Sequence, residues 1–217
     1  TNWPNIMANK NWPKHLAKQV RQTNWPKTNC QTNWLTKNWS KSVARMATFK
    51  PYHLVGGHTS PLSGRKLATR ALREYSDAIR SVYDQTVEGF NLGKGPDLIA
   101  HEVKLSANAV EKPYLIEFYG SVSHSVRAIY SGLIGWYDGN PVELNRLHPR
   151  DEAKRVVRLA GGVKKFEKKT RAAMKEGDFQ WALELADYLK WMGKAERESA
   201  RDIKISALRS LAAQEYN

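Results

Sequence analysis

Apolar residues recur at helical spacing through most of the chain. Val122, Val126, Ile129, Tyr130 and Leu133 form a stripe over three turns, which predicts a helix over Val122–Ile134. Its ends are sharply marked. Tyr119-Gly120 precedes it, Ser121 or Ser123 can cap it, and Gly135-Trp136-Tyr137-Asp138-Gly139-Asn140-Pro141 follows as a turn. Upstream, Leu67, Leu72, Tyr75, Ile79, Val82, Tyr83 and Val87 share one face and predict a long helix over 66–90, with Arg70 and Glu74 paired on its flank. Asn91-Leu92-Gly93 closes that helix, and Gly95-Pro96-Asp97 opens a short one over 98–103.

Beyond Pro141 the pattern is wholly helical. One helix is predicted over 152–159, stopped by Gly161-Gly162. Helices over 163–176 and 179–191 form an antiparallel pair across Gly177-Asp178, and a further helix runs over 195–215. Ala172, Ala182, Ala186, Ala200 and Ala207 permit close packing, as in a tetratricopeptide-like hairpin. Such a pair cannot bury its apolar face alone and needs neighbours. The expected fold class is mainly α.

The first quarter of the chain reads differently. Residues 1–38 repeat Thr-Asn-Trp and Asn-Trp-Pro at irregular intervals and show neither helical nor alternating periodicity. A short helix is expected over 39–49, with Trp39, Val43, Met46 and Phe49 on one face, ended by Lys50-Pro51. Tyr52-His53-Leu54-Val55 then reads as a brief buried strand before Gly56-Gly57-His58.

Charge sharpens this division. The 217 residues carry a net charge of +14, and residues 1–50 hold seven lysines and two arginines against no acid. The first carboxylate is Glu74. Tryptophans among cations suit stacking on bases and neutralising phosphates, yet no RNA-binding motif is present, so nucleic-acid binding is disfavoured against a low-complexity arm. The single Cys30 excludes an internal disulfide and a cysteine-based zinc knuckle. No apolar run approaches a membrane span and no signal peptide opens the chain, so the cytoplasm is the default expectation.

The stretch FYGSVSHSVRAIYSGLIGWYDGNP, from Phe118 to Pro141, resembles the dimerisation region of the alkyl sulfatases of the metallo-β-lactamase superfamily. These enzymes hydrolyse alkyl sulfate esters to an alcohol and sulfate. The family pattern is Tyr-Gly, an amphipathic helix, then Gly-Trp-aromatic-Asp-Gly-Asn-Pro, and the similarity extends from about Trp39 to the C-terminus. Asp84-Gln85-Thr86 and Asn91-x-Gly93 also match, with docking and capping as their expected roles. His58-Thr59-Ser60-Pro61-Leu62-Ser63-Gly64 is similar to the family's H-x-x-P-x-x-G turn, whose histidine is the last ligand of a dinuclear zinc site. Read alone, a histidine in a Gly-Pro turn is structural or solvated; the resemblance implies a zinc ligand. It also places Tyr119 near the sulfate ester, where a phenol could donate to an anionic oxygen; packing of Tyr119 in the core stands equally open.

The resemblance implies three parts: a Trp/Asn/Lys-rich arm over 1–38, a small βα remnant of the metallo-β-lactamase domain over 39–65, and a helical dimerisation domain over 66–217. The family's H-x-H-x-D-H motif is absent, and among His15, His53, His58, His101, His124 and His148 only His58 matches a ligand position. The expectation is therefore the dimerising part of a zinc-dependent alkyl sulfatase, inactive alone and lacking the catalytic half and the terminal sterol-carrier-like domain. A homodimer through the helices at 67–90, 122–134 and 150–176 is expected. The alternative reading is a non-catalytic helical interaction module.

Overall fold

The computed structural model describes residues 31–118 and 120–215. Nine α-helices and one two-stranded sheet make up its regular structure, a mainly α architecture among the described residues. The arm expected over 1–38 lies outside the described residues up to position 30. None of the described helices is long and apolar enough to cross a membrane. The chain divides into two compact units at Asn140/Pro141, inside the stretch that the sequence assigns to one dimerisation domain.

In the first unit, helix α1 spans Gln31–Thr48. It begins well before Trp39, because extending a helix costs less than nucleating one. Its buried face also differs from the expected one. Ser40, Val43 and Ala47 are buried, whereas Trp39, Met46 and Phe49 are exposed. The face is chosen by close approach. Ala68, Ala71 and Leu72 of α2 are buried as well, and Ser76 Oγ donates to the Ser40 carbonyl at 2.8 Å, so small side chains serve better than Trp or Met.

Strands β1 (His53–Leu54) and β2 (Leu62–Ser63) pair antiparallel, His53 opposite Ser63. The expected strand over 52–55 is thus half as long, and His53 is exposed rather than buried. Helix α2 (Arg65–Asn91) is the longest element, and Gly93 at φ 73° turns the chain as its N–H bonds back to the Phe90 carbonyl. Helix α3 (Pro96–Glu102), the single turn α4 (Ala107–Val110) and helix α5 (Val122–Ile134) complete the unit. Its core joins Val82 and Tyr83 of α2, Ile99 and Ala100 of α3, Val103, and Val126, Ile129 and Tyr130 of α5.

The second unit holds α6 (Pro149–Leu159), α7 (Val163–Glu176), α8 (Phe179–Leu189) and α9 (Lys194–Ala212). Gly177 adopts the left-handed conformation that the α7–α8 turn requires, and Asp178 caps α8 by accepting from the Trp181 N–H at 3.3 Å. Phe166, Leu185, Leu189 and Ile203 fill the core between Ala182, Ala186 and Ala200. The alanines expected to allow close packing are buried except Ala172, which is half-buried.

Candidate functional site

Helix α5 is the best-specified element of the first unit, and polar side chains fix both its ends. Ser121 Oγ accepts from the His124 N–H at 3.2 Å, and Glu117 Oε2 accepts from the Val122 N–H at 2.7 Å. Of the two candidate caps, Ser121 is the one used. At the other end the Tyr130 hydroxyl donates to the Asp138 carbonyl at 2.9 Å, while Asp138 Oδ1 accepts from the Asn140 N–H at 2.8 Å. Gly135 at φ 85° and Gly139 at φ 90° supply backbone that other residues adopt at a cost. Burial, and then the Asp138 charge, raises the Tyr130 hydroxyl above its ordinary pKa, so it stays protonated as a donor. Trp136, 78% exposed, is left on the surface by this turn.

The flanking segments are also tied by polar contacts. Arg127 Nε donates to Asp97 Oδ1 at 3.0 Å and joins α5 to α3. Gln85 on α2 donates to the Lys104 carbonyl at 3.0 Å and accepts from the Lys104 N–H at 3.4 Å. Thr86, fully buried, donates to the Val82 carbonyl of its own helix. Within the Asp84-Gln85-Thr86 motif, Gln85 thus serves docking, while Asp84 pairs with Arg80 of its own helix. Tyr114 escaped the sequence reading. Its hydroxyl donates to Glu74 and anchors the segment between α4 and α5 on α2, and burial, followed by Glu74, raises its pKa. A contact forty residues away leaves no period in the sequence.

His58 lies exposed in the loop joining β1 to β2. Neighbouring His53 meets Ser63 Oγ through Nδ1 at 3.0 Å across the hairpin. Tyr119, the expected sulfate contact, lies outside the described residues. His101 and His124 are exposed, and His148 caps α6 by accepting from the Arg150 N–H at 3.2 Å. Among the described residues, no three His, Cys, Asp or Glu side chains stand close enough to hold a metal ion together. The described residues thus do not by themselves fit a dinuclear zinc site, which needs about three protein ligands per metal.

The amphipathic helices expected at a dimer interface bury their stripes within their own units, α5 through Val126, Ile129 and Tyr130 and α7 through Phe166 and Ala173. The large apolar side chains left exposed include Leu98, Trp136, Trp181 and Leu208 outside those helices, and Leu159 at the end of α6.

Residues 95–217 match the alkyl sulfatase dimerisation family. A linear primary-alkylsulfatase of Pseudomonas sp. is 40% identical over 174 residues, covering 80% of this chain and 33% of that protein. An (R)-specific secondary-alkylsulfatase of Pseudomonas sp. is 32% identical over 76% of this chain and 25% of its own length. The solved structure of the stereoselective inverting sec-alkylsulfatase Pisa1 from Pseudomonas sp. superposes with a TM-score of 0.76 at 29% identity, over 83% of this chain and 29% of that one. The chain thus spans a third or less of the length of these relatives.

Proposed function

Since the chain belongs to the alkyl sulfatase dimerisation family, we propose that it joins two copies of an alkyl sulfatase as a homodimer. The observation that carries this reading is the family match, which takes in α3 to α9, the last part of the first unit and the whole of the second. The exposed apolar side chains are the candidate contacts, Trp136 in the first unit and Leu159, Trp181 and Leu208 in the second. Burying a large side chain of this kind is worth about 1.5–3 kcal/mol relative to leaving it in water.

The same reading gives the N-terminal hairpin a role. We infer that the β1–β2 segment derives from a metallo-β-lactamase domain and that His58 supplies one ligand to a zinc site completed by residues outside this chain. The support is the H-x-x-P-x-x-G turn and the position of His58 in the exposed β1–β2 loop. Alkyl sulfates are then the substrates of the intact enzyme, and this chain alone performs no hydrolysis.

Two differently tagged copies, co-expressed and captured through one tag, test the dimer. Co-capture of the second tagged copy is expected, and capture of one copy alone would sink the reading. Sulfate release from dodecyl sulfate with zinc quantified in the same sample tests the rest. The expected result is no turnover with less than one zinc per chain; turnover with two zincs would contradict it.

A further inference from the structure

The turn between α8 and α9 borders a surface cavity of about 220 Å³ lined by Arg150, Trp191, Met192, Gly193, Lys194 and Arg197. Its walls come from two places in the second unit. The first turn of α6 supplies Arg150, and residues 191–197 supply the rest. Three of the six lining residues are cationic and none is an acid. Among the described residues, none of these three cations enters an ion pair. Arg197 Nε reaches only the Lys190 carbonyl, at 3.5 Å.

Nearby charges are treated differently. Lys190 and Lys204 share Asp187, and Arg171 holds Glu167 at 2.8 Å. Glu196, beside the cavity, folds its carboxylate back towards Gly193, where a Cβ would stand 2.4 Å from Oε2, and it does not line the cavity. Other cations of the unit, such as Arg158, Lys168 and Lys175, also stand outside these ion pairs, but Arg150, Lys194 and Arg197 converge on one concavity with no acid in its lining.

Like charges around a hollow raise the local potential and repel one another until an anion enters. Two guanidinium groups and an ammonium offer the charge-assisted donors that tetrahedral oxyanions accept. The indole of Trp191 is held edge-on by the His148 ring at 6.3 Å, and with Met192 it adds apolar surface beside the charges.

We propose that this cavity binds a small oxyanion, sulfate or phosphate, free or as the head group of a monoester, with Arg150, Lys194 and Arg197 as its donors. The site is complete within one unit of one chain and does not depend on the dimer or on zinc.

The test follows the Trp191 indole N–H resonance of the labelled full chain, assigned with Trp191→Phe, during titration with sodium sulfate against sodium chloride at matched ionic strength. A saturable shift with sulfate and none with chloride is expected. Arg150→Gln/Arg197→Gln should weaken binding about tenfold or more. Lys168→Gln/Lys175→Gln, which removes the same charge from exposed positions of α7, should leave it unchanged. Absence of saturation, or equal weakening by both pairs, overturns the proposal. Lys194→Gln is the second variant should the double arginine variant melt early by circular dichroism, and it must weaken binding too. Hexyl sulfate separates the sources: tighter binding than inorganic sulfate assigns a monoester, and equal binding assigns the free oxyanion.

Discussion

The unit ending at Asn140 and the unit beginning at Pro141 are both helical but are held by different means. The second is built from helix pairs whose connections are short and whose cores are apolar, with Phe166, Leu185, Leu189 and Ile203 set between alanines. In the first, a helix of 27 residues and a shorter one enclose the irregular stretch from Val103 to Ser121, and polar side chains hold that stretch in place. Gln85 takes Lys104, Glu74 takes Tyr114, and Glu117 takes the start of α5. Apolar spacing specifies which helices pair; side-chain hydrogen bonds specify where a non-repeating segment goes. The family match begins at residue 95, inside the first unit, so its boundary does not coincide with the division into compact units.

The largest effect that would break this comparison lies in the second core. Phe166→Ala, at a position 2% exposed, should cost about 3–5 kcal/mol in urea unfolding, since the cavity cannot collapse between packed helices. A cost below about 1 kcal/mol would show that the apolar core does not hold the unit. In the first unit, Gly89→Ala probes close approach. Its Cβ would stand 2.9 Å from Cγ1 of Ile99, which is 1% exposed and cannot retreat. Overpacking should exceed the helical gain of about 1 kcal/mol and leave a net loss of up to about 2 kcal/mol. Increased stability would mean that Ile99 has room.

Smaller effects compare like with like. Ser121→Ala and Asp178→Ala remove one N-cap from each unit, and each should cost about 1 kcal/mol in thermal unfolding. Ser199→Ala is expected to act least, and through pH. Ser199 donates to Glu167, and this bond, then Arg171, holds the Glu167 carboxyl below its ordinary pKa. A carboxyl depressed on folding stabilises above its unfolded pKa and loses that contribution as pH falls through the folded one. The variant should therefore narrow the gap in stability between neutral and acid pH, by roughly 0.5–1 kcal/mol, without shifting the acid-side plateau. A pH profile parallel to the parent would contradict this.

Much of the fold was legible because its punctuation is chemical. The bounds of α5 and α7 follow from Ser121 and Gly135, and from Gly162 and Gly177, and the expected helices agree with those found. The start of α1 and its buried face were not legible. Ser40 and Ala47 are buried for their size rather than their hydrophobicity. The site divided along similar lines. The Ser121 cap could be read locally, because its partner is His124 in the same turn, whereas docking by Gln85, which meets Lys104 beyond α3, was implied only by the resemblance. The Tyr114–Glu74 contact and the cavity at Arg150 and Arg197 join residues far apart in sequence, where no spacing rule reaches.

The most direct test of the central claim is the mass of the purified chain by sedimentation equilibrium, across a tenfold or wider range of concentration. The account predicts twice the 24.7 kDa of one chain, with Trp136→Ser, Leu159→Ser and Trp181→Ser shifting the equilibrium towards monomer. A single-chain mass throughout that range would contradict it.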